Sequence, residues 1–121
     1  MKNFLNIAEN KKLYKCNHFF LIKDSYPVSP GHLLIISNEL IEDYFGLSKE
    51  AKQDLPHVID EAKRIIETEH SPDGYNIGMN CGKYAGQTIF HFHCHIIPRY
   101  NGDLKHPEGG VRGVIPDKMK Y

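Results

Sequence analysis

The chain has 121 residues, of which 40% are hydrophobic and 25% are charged, a size and composition typical of one folded domain. Fifteen Lys and Arg residues balance fifteen Asp and Glu residues, so the formal net charge is zero with neutral histidines. This balance argues against a general nucleic-acid or anionic-membrane binder, because both need a basic surface. No apolar run approaches the ~20 residues of a spanning helix, and residues 1–10 lack the apolar core of a signal peptide.

The cysteine content favours a reducing compartment. The chain has three cysteines, Cys16, Cys81 and Cys94, which are too few and odd in number for a disulfide framework. We therefore expect reduced thiols and a cytoplasmic location. The balanced charge and the lack of a spanning run predict that neither nucleic acid nor a membrane is a partner.

The first third of the chain predicts three strands. Residues 13–15 and 18–24 mix β-branched, aromatic and polar side chains in short runs. Residues 24–31 contain two prolines and a glycine and should reverse the chain. Residues 32–37 form an apolar run of strand length that we expect to be covered on both faces.

A short and a long helix are predicted next. Residues 38–45 could form the short one, ended by Gly46. Ser48 is a suitable N-cap for the long one, and Pro56 should restart or kink it. Apolar side chains then recur at helical spacing, at Leu55, Val58, Ile59, Ala62, Ile65 and Ile66.

Two further strands and a tail complete the chain. Residues 75–80 and 89–98 predict strands, and residues 100–121 lack periodicity and predict an extended C-terminal tail. Strands before and after one long helix indicate a single α+β domain over residues 1–121. Its sheet should be mostly antiparallel and five-stranded, with one long and one short helix.

The most informative segment is residues 86–99, in which His91, His93 and His95 alternate with apolar residues. Alternate side chains of a strand share a face, so a strand here would point all three imidazoles the same way. The rings would extend over about 13 Å at ~3.3 Å per residue, a length that suits a row of phosphates.

Three interpretations follow from these residues. The histidines could be a polar strand face with satisfied hydrogen bonds. They could bind a metal, since imidazole is a common zinc ligand, although the sequence singles out no fourth ligand. They could carry nucleophilic histidine chemistry on a phosphate ester or anhydride.

The third interpretation is favoured by a resemblance to the histidine triad (HIT) family. The family signature His-φ-His-φ-His-φ-φ, in which φ is apolar, is matched at all seven positions of residues 91–97. The other motifs of the family are matched in the same chain order, at Asp24, Pro30-Gly31-His32, Asn80 and Gly86-Gln87-Thr88. The resemblance covers roughly residues 19–99, implies a HIT-like fold, and lies closer to the fragile-histidine-triad and bacterial hydrolase branch than to Hint proteins.

The resemblance implies a role for each of these residues. His93 would attack the α-phosphorus of a nucleotide to give a covalent nucleotidyl-histidine that water hydrolyses. His91 and His95 would flank the phosphate, and His32 would support the cluster. Asp24 would bind the ribose, and the phosphate would accept hydrogen bonds from the remaining polar residues, Asn80, Gln87 and Thr88.

Further residues are candidates for binding the rest of a nucleotide. An apolar slot for the base could come from Phe4, Leu5, Phe20, Ile22 and Leu33. Lys83, Arg99 and Arg112 are the nearest cations for additional phosphates.

The resemblance implies a nucleotide hydrolase or nucleotidyl transferase, usually a homodimer, that acts on dinucleoside polyphosphates or related nucleotidylated compounds. Two alternatives are an adenosine phosphoramidate hydrolase of the Hint type and a nucleotide-binding regulatory protein with little turnover. The chain lacks the Cys-x-x-Cys with which many HIT proteins bind zinc, so we expect no protein-bound metal or other cofactor. Magnesium would enter only with a polyphosphate substrate.

Overall fold

One antiparallel sheet organises the chain, of which the computed structural model describes residues 2–121. The sheet has five strands in the order β1-β2-β3-β5-β4, and every neighbouring pair is antiparallel. The strands are β1 (Tyr14–Lys15), β2 (Phe19–Lys23), β3 (Leu33–Ser37), β4 (Gly74–Gly78) and β5 (His93–Arg99). The predicted α+β fold with an antiparallel sheet is confirmed.

The long helix α1 (Lys49–Ile66) covers one face of this sheet. The Ser48 side chain accepts a hydrogen bond from the Ala51 amide at 3.0 Å, the N-cap that the sequence predicts. The helix runs through Pro56 without a break, so the predicted restart there is wrong. Its buried residues, at helical spacing, are Ala51, Leu55, Val58, Ala62 and Ile66.

The two faces of the sheet bury different sets of side chains. Phe19, Leu21 and Ile35 point towards α1 and form the main core with it. Phe20, Ile22, Leu34 and Ile36 point the other way, where the N-terminal residue Phe4 packs on them instead of a helix. The opposite face therefore has only a thin cover, which leaves room there for a cavity.

The predicted short helix at residues 38–45 is wrong. Only Tyr44–Gly46 forms a single 3-10 turn, and the Asp43 side chain caps it by accepting from the Phe45 amide. The carbonyls that a helix would use internally are taken by another segment: Ile41 accepts from the Phe92 amide and Glu42 from the Gln87 side chain. Tertiary hydrogen bonds therefore hold this segment in a conformation that is not an α-helix.

The last strand is shorter than predicted, because residues 89–92 do not belong to it. The Phe92 amide bonds to Ile41, and the Phe92 carbonyl accepts from the Ser37 amide, so β5 begins at His93. In β5, His93 lies opposite Ile36 and His95 opposite Leu34. Directly opposed residues share a face, so both histidines lie on the side away from α1.

Residues 100–121 do not form the extended tail that the sequence predicts. They contain two 3-10 turns, Gly110–Val114 and Pro116–Lys118, and most of their side chains are exposed. The Tyr100 hydroxyl donates to the Pro30 carbonyl at 2.6 Å, which ties the start of this segment to the turn before β3. Within residues 2–121, none of the helices has both the length and the apolar character needed to cross a membrane.

Candidate active site

A cavity of about 450 Å³ opens on the sheet face away from α1. Its apolar lining comes from the N-terminal segment, two strands and the loop before β5, at Phe4, Ile7, Ile22, Leu34 and Ile89. Its polar lining comprises Asp24, Ser25, Tyr26, Asn80, Thr88, His93 and His95. Five of the predicted site residues, Asp24, Asn80, Thr88, His93 and His95, thus meet at one cavity.

His93 is held by a backbone carbonyl. Its Nδ1 lies 2.7 Å from the carbonyl oxygen of His91. Because a carbonyl only accepts hydrogen bonds, Nδ1 must carry the proton of the neutral ring. Nε2 of His93 then has a free lone pair, and the half-buried ring lines the cavity. This is the tautomer that a nucleophilic imidazole needs.

His91 does not line the cavity, which contradicts the prediction that it flanks a phosphate. Its ring is fully buried, and both nitrogens are occupied. The Phe4 amide donates to Nδ1 at 3.0 Å, and Nε2 donates to the Ser37 carbonyl at 2.8 Å. His91 precedes β5, so strand alternation does not set its direction. Its contribution to the site is its carbonyl, which orients His93.

His32 is buried behind His95 and orients it. The Val28 amide donates to His32 Nδ1 at 3.0 Å, so the proton of the neutral His32 ring lies on Nε2. That Nε2 is 3.0 Å from His95 Nδ1 and 3.3 Å from Asp24 Oδ2. Donation from His32 leaves His95 with its own proton on Nε2, as a hydrogen-bond donor for the cavity.

Burial keeps three of these histidines neutral. It lowers the pKa of His32 and of His91, although Asp24 opposes the change at His32 and the Ser37 carbonyl opposes it at His91. Burial, followed by the nearby His32 and His93 rings, lowers the pKa of His95 to about 4. His95 is therefore an uncharged hydrogen-bond donor at pH 7.

Asp24 is placed at the cavity by the turn after β2. Its Oδ1 accepts from the Tyr26 amide at 2.8 Å, and its Oδ2 faces the two histidines His32 and His95. The carboxylate is only 14% exposed, yet it lines the cavity. It remains available to accept from a ligand hydroxyl, since each carboxylate oxygen has more than one acceptor site.

Gln87 does not face the cavity, which contradicts its predicted role as a phosphate donor. It is 3% exposed, and its side chain accepts from the Gly82 amide and donates to the Glu42 and Ile89 carbonyls. Its hydrogen bonds hold the 82–89 loop in place. This loop brings Thr88 to the cavity.

The predicted phosphate cations also lie elsewhere. The Arg99 guanidinium forms two hydrogen bonds to Asp103, which raise the pKa of Arg99, and one to Asn76. Arg112 donates to the Lys118 carbonyl within the C-terminal segment. Neither arginine lines the cavity, and nor does Lys83.

Three potential metal ligands lie close together at Asp24, His32 and His95, with donor atoms 3.0 to 3.8 Å apart. The tautomer of His32 does not fit a metal. Its Nδ1 accepts from the Val28 amide, so the proton lies on Nε2, the atom that would have to coordinate the ion. The contacts among Asp24, His32 and His95 are those of a hydrogen-bonded cluster.

Sequence reasoning missed two backbone amides that set the site. The Phe4 amide and the Val28 amide each fix one imidazole, and no side-chain pattern reveals them. The acceptor for His93 is different, because the resemblance implies a backbone carbonyl close to the first histidine of the motif, and the His91 carbonyl takes that place. Of the apolar slot candidates, Phe4 and Ile22 line the cavity. Leu5 is half exposed, Phe20 is buried in the core, and Leu33 belongs to the core under α1.

The lowered pKa of His95 predicts a pH dependence of stability. Because the unfolded ring titrates near 6.5 and the folded ring at about 4, the unfolded chain binds more protons between these values. Stability should fall as the pH falls from 6.5 towards 4. Urea unfolding at pH 7.5 and at pH 5.0 measures this fall. Between the two pH values, the free energy of unfolding of His95→Gln should fall by about 1–2 kcal/mol less than that of the wild type. His57→Gln, an exposed control, should behave as the wild type, and an equal loss in all three proteins would contradict the assignment.

Comparison with known proteins agrees with this architecture. A family model described as "HIT domain" matches residues 6–102. The chain is 37% identical over 89 residues to the "Protein hit" of Bacillus subtilis, covering 74% of this chain and 61% of that protein. It is 31% identical over 119 residues to an "AP-4-A phosphorylase" of Mycobacterium tuberculosis, covering 96% of this chain and 57% of that protein.

Among solved structures, a HIT family protein from Bacillus anthracis superposes with a TM-score of 0.71 at 36% identity, over 77% of this chain and 66% of that one. The chain spans about 60% of the length of the two curated relatives above. The family model nevertheless covers most of the residues of this chain, and two of the three motif histidines, His93 and His95, lie at one cavity. The chain belongs to the histidine triad family.

Proposed function

We propose that the protein is a nucleotide hydrolase or nucleotidyl transferase that reacts at the α-phosphate through His93. The observation that carries the proposal is the hydrogen bond from His93 Nδ1 to the His91 carbonyl, which leaves Nε2 unprotonated at the cavity. Nε2 attacks the α-phosphorus, so a P–N bond forms and the bond to the leaving group breaks. Water then attacks the same phosphorus, the P–N bond breaks, and a nucleoside monophosphate leaves.

The remaining cavity residues suit the other parts of a nucleotide. The apolar end, with Phe4, Ile7, Ile22 and Leu34, can hold a base. Asp24 can accept from ribose hydroxyls, as the resemblance implies. Thr88, Asn80 and the Nε2–H of His95 can donate to phosphate oxygens and stabilise charge in the transition state.

Covalent trapping tests the role of His93. The protein is incubated with an adenylated substrate and the reaction is quenched rapidly without acid. AMP should then be found on His93 in an acid-labile, base-stable adduct. His93→Ala should keep nucleotide binding and lose turnover by about 10⁴-fold or more, because the reaction has no other nucleophile. His57→Ala, which removes an exposed histidine, is the matched control. Mass spectrometry that finds AMP on another residue, or an active His93→Ala, would contradict the mechanism.

The substrate class we propose is dinucleoside polyphosphates, with adenosine phosphoramidate hydrolysis or nucleotide binding with little turnover as the alternatives. A relative is named "AP-4-A phosphorylase", which supports this class. The lowered pKa of His95 supports it independently. A polyphosphate departs as a stable anion, whereas an amine must take up a proton, and a neutral His95 supplies a hydrogen bond but not a proton.

We therefore expect diadenosine tetraphosphate to have a higher kcat/KM than adenosine phosphoramidate at pH 7.5. Side-by-side assays of AMP release measure this ratio directly. A lower pH should narrow the gap, because protonation of His95 would then assist the amine leaving group. Faster phosphoramidate turnover would favour the Hint-type alternative, and binding of both compounds without AMP release would favour the regulatory one.

We further propose that catalysis requires no metal held by the chain, since the His32 tautomer opposes coordination at the Asp24 cluster. No cation lines the cavity among residues 2–121, so magnesium would arrive with a polyphosphate substrate. Dialysis against EDTA should leave phosphoramidate turnover and the melting temperature unchanged. It should lower only polyphosphate turnover, and added Mg²⁺ should restore it. Stoichiometric zinc that is lost together with both activities would contradict this proposal.

A homodimer is proposed on the basis of the family and of the position of β4. This strand lies at one end of the sheet, and its Ile77 is 43% exposed. Pairing of two β4 edges would continue the sheet into a second copy and cover that side chain. Light scattering at micromolar concentration should give twice the chain mass, and a monomer mass would contradict the proposal.

The three cysteines are free, which supports the prediction of a cytoplasmic location.

A further inference from the structure

The hydrogen bond from His93 Nδ1 to the His91 carbonyl does not by itself fix the angle of the His93 ring. Hydrogen bonds to a carbonyl oxygen tolerate a broad range of angles, so this bond alone would leave the imidazole free to rock. Rocking displaces Nε2, the atom that attacks phosphorus in the proposed reaction. A misplacement of about 1 Å can lower a rate about 100-fold. A second contact on the ring therefore matters for the reaction.

The Phe4 ring supplies such a contact. Its centroid lies 5.3 Å from the centroid of the His93 ring, and the two planes make an angle of 64°, which is an edge-to-face arrangement. Within residues 2–121, the other aromatic ring that pairs with His93 is His95, at 5.4 Å. Phe4 differs from His95 in having no polar side-chain atom, so it restrains the His93 ring without donating to Nε2.

Phe4 is itself held firmly. Its backbone amide donates to Nδ1 of His91 at 3.0 Å. The Asn3 side chain accepts from the Leu5 amide at 2.9 Å, which closes a tight turn around Phe4. The Phe4 ring is only 6% exposed, and a close-packed ring of this kind has little room to move. It packs on an apolar cluster of β2 and β3 formed by Phe20, Ile22, Leu34 and Ile36.

The place of Phe4 in the cavity lining allows two roles that kinetics can separate. Phe4 lines the apolar end, where the base is proposed to lie. If its ring served only as a wall for the base, its loss would raise KM and leave kcat unchanged. If its ring orients the nucleophile, its loss would lower kcat for substrate that is already bound.

We propose that Phe4 is a positioning residue for the nucleophile, whose ring holds the His93 imidazole at the angle at which Nε2 faces the α-phosphorus. Through its amide, Phe4 also holds His91, so one residue restrains both partners of the hydrogen bond between His93 and the His91 carbonyl. This inference rests on the proposed nucleotidyl chemistry and adds a residue to it.

Phe4→Leu tests the proposal, because it removes the ring and keeps the backbone amide and an apolar side chain. With the better substrate of diadenosine tetraphosphate and adenosine phosphoramidate, kcat should fall about 10- to 100-fold, and KM should change less than about threefold. Phe20→Leu is the matched control, since it removes a buried ring from the same cluster and should keep kcat. A higher KM at unchanged kcat in Phe4→Leu, or an equal fall of kcat in Phe20→Leu, would overturn the proposal.

An NMR measurement without substrate separates failure of this proposal from failure of the proposed function. In ¹⁵N-labelled protein at pH 7.5, the Nδ1–H of His93 should exchange with water about fivefold faster in Phe4→Leu than in the wild type and in Phe20→Leu, because the less restrained ring opens its hydrogen bond more often. Exchange at the wild-type rate would overturn the proposal. Faster exchange in a protein whose wild type turns over neither substrate would contradict the proposed function alone.

Discussion

The hydrogen bond from His93 Nδ1 to the His91 carbonyl is the interaction on which the site depends. It fixes the ring and its tautomer together, so that the unprotonated nitrogen lines the cavity. The carbonyl in turn is held because His91 is locked by the Phe4 amide on one side and the Ser37 carbonyl on the other. A residue at the N-terminus and the end of β3 thus determine the orientation of a side chain on β5. Such preorganisation reduces the reorganisation that the reaction itself would require.

The rest of the fold makes room for this arrangement. Helix α1 covers one face of the sheet, and the other face keeps only a thin layer that includes Phe4 and Ile7. Strand alternation then brings His93 and His95 out on the thinly covered face, while Cys94 enters the main core. Burial behind this layer keeps His32 and His95 uncharged, which suits hydrogen-bond donation to an anionic ligand.

The sequence predicts most of the fold, and those parts of the site that follow from strand periodicity. His93 and His95 share a face as expected, and Asp24, Asn80 and Thr88 lie at the same cavity. The predictions for His91 and Gln87 were wrong because each is placed by long-range backbone partners that local patterns do not encode. The short helix at residues 38–45 was wrong for the same reason, since Phe92 and Gln87 take up its carbonyls.

The tautomer of His93 in the free protein is the most direct test of this account. Long-range ¹H–¹⁵N correlation spectra of ¹⁵N-labelled protein at pH 7.5 distinguish a protonated imidazole nitrogen from an unprotonated one, and His93→Gln assigns the signals. We expect a proton on Nδ1 and a bare Nε2, with the Nδ1–H signal shifted downfield by its hydrogen bond to the His91 carbonyl. A proton on Nε2 of His93 in the free protein would contradict it, because that nitrogen could not then attack phosphorus.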